Sequence, residues 1–398
     1  MENNLRSKFD SGIIFFLLSG TAFSFLFSLA ALQVFAAALA LLFFFEKKKS
    51  VSFDLIGKFI LAFAAARLIS IIFSEYPEVS VHALYKEALF FFSFFAFNYY
   101  FKVLDEINIT YFLKILVGSA AVISLIGLFR FIINDVERAQ SFTSGYMAFS
   151  VYLTVILVFY LFNFKTIIFT KNYNLVIKLF VFAVILSGIV TSLGRMNIAV
   201  SLLFAAIAFL SKKISFKNLT AAVIGTILIS ALSFTFNNRA FESRMEAPAA
   251  LSDRDILYKG FVELYDENPL TGFGPRTFKE IFPFRDKFMD TGIGSWHNDY
   301  IEVYIESGIL GLLTFLGIFG ALFYSIFTFI KSCKLSAAEK NIEFGVVASI
   351  AALLITGLTS GFIKSPIISI LAALLMALSQ RKLFVKRKNN SDPEVLSP

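Results

Sequence analysis

The sequence predicts an all-α integral membrane protein of about twelve transmembrane helices with one large extracytoplasmic loop. Three observations carry that prediction. First, 58% of the 398 residues are hydrophobic and only 16% are charged, against about 45–50% and about 25% in soluble domains. Second, the apolar residues fall in runs near the helical length of about 20 residues that crosses a hydrocarbon core. Third, lysine and arginine collect in every second connection, the pattern that places those connections in the cytoplasm. The composition excludes a disordered, collagenous or disulfide-framed chain. A single cysteine, Cys333, excludes Cys-based zinc sites, and two histidines, His82 and His297, are too few for a multi-histidine metal centre.

The first run, Ser11 to Phe45, is too long for one span and reads as two, turning near Leu29–Gln33. It also exceeds the apolar core of a cleavable signal peptide, about 7–15 residues, so this end reads as retained. Further spans are predicted at 54–73, 88–101, 111–133, 147–164, 175–192, 196–210, 219–236, 300–330, 343–361 and 366–380. Basic residues mark alternate connections: Arg6 and Lys8, Lys47–Lys49, Lys102 and Lys114, Lys165, Lys171 and Lys178, Lys212, Lys213 and Lys217, then Lys331, Lys334 and Lys340. An even number of spans puts both termini in the cytoplasm. The chain divides into spans one to six (1–175), a second stretch with the long loop (176–320, loop 237–299), the last spans (321–380) and a basic tail (381–398). The net charge of +8 reports this orientation; a lipid bilayer is the expected partner, and nucleic acid is not.

The long outer loop holds the only Trp, one of the two His and four of the eight Pro. Ser252-Asp253-Arg254-Asp255 reads as a helix start, because a Ser cap with an acid three residues on satisfies free amide donors. Ile256, Leu257, Phe261 and Leu264 follow at helical spacing until Pro269 and the Gly272-Phe273-Gly274-Pro275 turn. The prediction is an amphipathic helix of about 15 residues on the membrane surface.

Ionisable residues inside or beside apolar spans are costly, and they mark functional sites by default. Arg67, Arg130, Arg138 and Arg195 fall in the outer half of the membrane or its margin. Arg195 follows a sharp turn at Gly194 that interrupts nearly continuous apolar sequence, so it is directed to the outer leaflet or a cleft. Arg67 and Arg130 lack such a turn and read as arginines snorkelling to headgroups. Arg254 sits in a helix first turn, where a cation opposes the helix dipole. Its fork suits phosphate oxygens; the plainer reading is an ion pair with Asp253 or Asp255. His297 stands where the loop re-enters the membrane. Histidine is the commonest general base, and Asp299, Glu302 and Glu306 follow closely enough to orient it. The plainer reading is a structural hydrogen-bonding residue. His82 has no comparable neighbours. The sequence has no P-loop, no Gly-x-Ser-x-Gly, no His-Glu-x-x-His and no metal cluster, so neither metal nor cofactor is expected. This set suits recognition of a lipid-borne diphosphate with activation of a hydroxyl nucleophile.

His297-Asn298, nine residues, then Gly308-Ile309-Leu310-Gly311 resembles the signature of the bacterial O-antigen ligase family. Ser192-Leu193-Gly194-Arg195, the stretch from Arg254 to Glu263, and Asn268-Pro269-Leu270-Thr271-Gly272-Phe273-Gly274 resemble the same family's patterns. The specific likeness covers about Phe180 to Gly320. The resemblance implies a GT-C-like glycosyltransferase of the bacterial inner (cytoplasmic) membrane with its site facing the periplasm. It would move a glycan from undecaprenyl diphosphate to a hydroxyl on a lipid or glycan acceptor, without metal or ATP. By motif position His297 would be the base and Arg195 and Arg254 the diphosphate ligands, with Arg138 assisting. A polymerase of the same superfamily would share the donor and these residues. A lipid-linked-glycan transporter fits less well: no internal repeat is visible, and the candidate residues collect on one side.

Overall fold

The computed structural model describes residues 7–46, 54–143, 145–165, 175–237, 242, 254–287, 294–361 and 363–391, the last ten by backbone alone. Helices stand at every predicted span: α1 (Ser11–Ser24), α2 (Leu29–Phe45), α3 (Leu55–Ile72), α4 (Pro77–Val103), α5 (Glu106–Ile132), α6 (Tyr146–Asn163), α7 (Leu175–Thr191), α8 (Arg195–Leu210) and α9 (Phe216–Phe236). The long loop after α9 contributes α10 (Arg254–Leu264) and the single turn α11 (Phe278–Ile281). Then come α12 (Asp299–Ser332), α13 (Ala337–Thr356) and α14 (Pro366–Ser391). No strand occurs among the described residues. The protein is an all-helical integral membrane protein, in which α3, α4, α5, α6, α9 and α12 are long and apolar enough to cross a bilayer. Helices α1, α2, α7 and α8 and residues 366–381 are shorter and apolar.

Helix starts follow local chemistry. The side chains of Asp10, Ser28, Asp54, Asp105, Ser215 and Asn298 each accept an amide of the first turn, and Ser336 with Glu339 forms a reciprocal capping box. Each cap contributes about 1 kcal/mol. Ser28 explains one correction. The first two helices turn at Phe25–Ser28 rather than at Leu29–Gln33, because the serine caps α2 and the chain cannot turn inside a capped helix. A second correction concerns α4, which begins at Pro77 instead of 88; proline suits a first helical turn because its missing N–H would be unsatisfied there anyway. His82 is therefore an exposed helical residue rather than part of a loop. Among the described residues the surface helix runs from Arg254 to Leu264, ending before Pro269, and its expected Ser252–Asp253 start lies outside the described residues. Helix α14 runs past 380 into the basic tail as far as Ser391.

Helix α6 is apolar on all sides and sits at the centre, buried continuously from Phe149 to Asn163. Helix α13 packs along it, α3 along α12, and α14 along α4. A second, smaller core of Leu257, Leu264, Phe273, Phe278, Phe282, Trp296 and Ile305 fixes the long loop to the start of α12. That small core places the candidate site.

Candidate active site

Helix α12 is broken at Gly308, whose backbone (φ 60, ψ −163) lies in a region open only to glycine. The break exchanges hydrogen bonds with the long loop. Ile309 N–H donates to Pro269 O at 2.8 Å; the freed carbonyls of Ile305 and Glu306 accept Phe273 N–H at 2.9 Å and Gly274 N–H at 3.0 Å. A Cβ at Gly308 would run into the Leu270 carbonyl oxygen, and one at Gly272 (φ 69) into the Ser307 amide. The Asn-Pro-Leu-Thr-Gly-Phe-Gly stretch and the glycine after the nine-residue spacer are thus two halves of one joint.

At the other end of that spacer His297 lies between two anchors. On one side Trp296 is 2% exposed, with ring centroids 5.1 Å from Phe278 and 5.5 Å from Phe282. On the other, Asn298 Oδ1 accepts the amides of Tyr300 (3.0 Å) and Ile301 (3.2 Å), capping α12. Held between them, His297 takes a left-handed backbone, φ 50, uncommon for a residue with a side chain and costing about 1–3 kcal/mol that the anchors offset. It lines a cavity of about 280 Å³ with Gly145, Met147, Ser295, Ser360 and Lys364. Burial, then the positive charges of Arg254 and Lys364, hold its pKa below the ordinary 6.5. The ring is therefore kept in its neutral, proton-accepting form.

Of the three candidate arginines, Arg254 acts on His297 directly, Arg195 acts on Arg254, and Arg138 lies against Tyr146. Arg254 opens α10, half-buried, with Nη2 donating to Thr359 O at 2.9 Å. Burial lowers its pKa, the ring oxygens of Tyr258 and Tyr146 oppose that shift, and the charge of Arg195 adds to it. Arg195 is the exposed first residue of α8, following left-handed Leu193 (φ 56) and the Gly194 cap. The Arg138 guanidinium lies 4.2 Å from the ring centre of Tyr146, a cation–π contact. Tyr146 thus joins Arg138 to the field of Arg254, and Arg254 joins Arg195 to His297.

Some expectations change. Arg254 donates to the Thr359 carbonyl, while Asp253 lies outside the described residues. Glu302 and Glu306, read as companions of His297, turn to other cations: both pair with Lys364. Glu306 also accepts Arg67 Nη1 at 2.9 Å and Arg276 N–H at 2.7 Å. Asp299 Oδ1 accepts Ile363 N–H at 3.3 Å. Arg67 does not snorkel. It is 1% exposed and grips Glu87 with Nε (3.0 Å) and Nη2 (2.5 Å). Arg130 likewise stays local, bonding Asp135 and the Ser141 carbonyl, both at 2.5 Å. The buried chain Glu87–Arg67–Glu306–Lys364–Glu302 ties α3, α4 and α12 to the loop before α14. Its sequence signal is charge of both signs set in apolar surroundings, Lys364 included.

A search of curated proteins finds no match. Residues 175–316 match the family model described as O-antigen ligase, the segment that holds Arg195, Arg254, the Gly272–Gly308 joint and His297. Residues 175–316 are thus similar to the O-antigen ligase family domain.

Proposed function

We propose that this protein is an O-antigen ligase-like glycosyltransferase acting on a glycan carried by undecaprenyl diphosphate at the outer face of the bacterial inner membrane. All twelve spans would cross, GT-C-like, with both termini in the cytoplasm. The observation that carries the reading is His297 on a cavity wall, its proton affinity lowered by burial and by Arg254, with Arg195 acting on Arg254 in turn and Arg138 against Tyr146. The acceptor hydroxyl oxygen attacks the anomeric carbon of the glycan while His297 takes its proton. The bond from that carbon to the diphosphate oxygen breaks, and the electron pair leaves on the lipid diphosphate. Arg195 and Arg254 offset the charge that develops there, the kind of electrostatic stabilisation that contributes most in many enzymes, and Arg138 supports them through Tyr146. The leaving group departs already activated, so this route calls for neither metal nor nucleotide.

Binding of an undecaprenyl-diphosphate oligosaccharide to purified protein tests the arginines. Arg195→Ala and Arg254→Ala should each weaken it about tenfold or more, as for loss of a charge-assisted hydrogen bond, and Lys at either position should restore it only in part. Unchanged affinity in both variants would refute the assignment. A polymerase is the second reading, because the family model spans both activities. A deletion strain separates them: glycan polymer accumulating on its carrier marks a ligase, and single repeat units on the acceptor mark a polymerase.

A further inference from the structure

The cavity next to His297 is lined by Gly145, Ser295, Ser360, Lys364 and Ser365, but by none of Arg138, Arg195 and Arg254. It therefore adjoins the arginine cluster without being part of it. At the start of α6, Tyr146 meets Arg138, while Gly145, Met147, Ala148 and Val151 line the cavity. Among the described residues the only cation on the wall is Lys364, already paired with Glu302 and Glu306. An anion entering the cavity would have to compete with two carboxylates for it. What the wall offers instead is serine hydroxyls, each able to donate and accept, and glycines that leave room. Ser360 Oγ donates to Thr356 O at 2.8 Å and keeps its lone pairs for another donor. At about 280 Å³ the space is near the lower end of small-molecule sites, roughly 300–1,000 Å³. These properties suit a neutral polyhydroxyl ring.

The geometry points to this cavity as the acceptor-sugar subsite, where a terminal sugar ring is held with one hydroxyl against His297. The inference rests on the proposed roles of His297 and the arginines. In a displacement at the anomeric carbon, the incoming oxygen and the departing diphosphate oxygen lie on opposite sides of that carbon. A diphosphate held by the arginines then leaves the acceptor the far side, and the base has to touch the acceptor. His297 does so from the cavity wall.

Trp296 supplies the readout. It is the chain's only tryptophan, and both of its neighbours, Ser295 and His297, line the cavity. Gly145 supplies the test variant: it has an ordinary backbone (φ −65), and an added Cβ meets nothing within 4 Å. Gly145→Leu should therefore fill cavity space without disturbing the helix. The probes are methyl glycosides of hexoses and of heptose, and inorganic pyrophosphate as the donor's anionic portion. Added to the full-length protein in detergent, a methyl glycoside should change Trp296 emission saturably in the millimolar range. Gly145→Leu should weaken that response about tenfold and leave the pyrophosphate response unchanged. Ser360→Ala with Ser365→Ala should weaken glycoside binding in the same direction, and this pair decides the matter should Gly145→Leu misfold. No saturable glycoside response, or a Gly145→Leu effect on pyrophosphate equal to or larger than that on glycosides, would overturn the assignment. Failure of Arg254→Ala to weaken pyrophosphate would instead sink the donor reading, with the cavity still judged by the glycoside arm.

Discussion

At the scale of single residues, His297 shows how backbone and environment prepare one side chain. Its neighbours do the holding, Trp296 by burial and Asn298 by capping α12, so the imidazole is presented at a left-handed backbone position, uncommon for any residue but glycine though tolerated by histidine better than by most. Its lowered pKa has a kinetic consequence. A general base works unprotonated, so transfer falls as pH drops through its pKa; with that pKa below 6.5, the acid limb of the rate profile should lie below pH 6.5. Lys364→Met removes one of the two charges responsible and should move the limb to higher pH. A limb that stays in place would show that Lys364 does not act on His297. Arg67 makes a different prediction. Its removal leaves Glu87 and Glu306 buried without their cation, so Arg67→Met should cost about 3–5 kcal/mol in detergent unfolding measurements. A loss under about 1 kcal/mol, the worth of an exposed pair, would contradict the buried network. The sequence singles out His297, Arg254, Arg195 and Arg138 as candidates, because each sits at a turn, a helix start or a span edge. It hid the network, because Arg67 and Glu306 are 239 positions apart and hydropathy registers each as an isolated charge.

At the scale of elements, the Gly308 joint explains why the glycine must stand where it does. Gly308→Ala would force a side chain into a backbone region reserved for glycine and against the Leu270 carbonyl. The backbone strain alone should cost about 1–3 kcal/mol, and transfer should fall as the outer loop loses its seat beside His297. Gly320→Ala is the matched control: it lies in the same helix with nothing within 4 Å of an added Cβ, and alanine there should be neutral or stabilise by up to about 1 kcal/mol. Equal thermal unfolding of the two variants would remove the joint from the account. Apolar runs predicted where helices lie because burial in lipid needs little beyond length. They missed the first three turns of α4, where Glu78, Lys86 and Glu87 interrupt the apolar pattern, and they could not reveal the break in α12, whose flanks read as continuous helix.

At the scale of the whole molecule, the positive-inside pattern makes a prediction about sidedness. Cys333 follows Lys331 at the end of α12 and should face the cytoplasm. A membrane-impermeant maleimide should label it in inverted vesicles and spare it in intact spheroplasts. Lys279→Cys in a Cys333→Ser background should behave the opposite way, because Lys279 is exposed in the outer loop. Labelling of both positions from one side would refute the topology and, with it, the placing of the site at the outer face. Transfer itself is the decisive readout. Purified protein in liposomes, given an undecaprenyl-diphosphate oligosaccharide and a lipid A–core acceptor in EDTA without nucleotide, should form glycosylated acceptor and release undecaprenyl diphosphate in equal amounts. His297→Ala should bind the donor as the parent does and form product at least about a hundredfold more slowly, the contribution expected of a general base. Full-rate transfer by His297→Ala, or transfer by the parent that requires a metal or a nucleotide, would contradict the account.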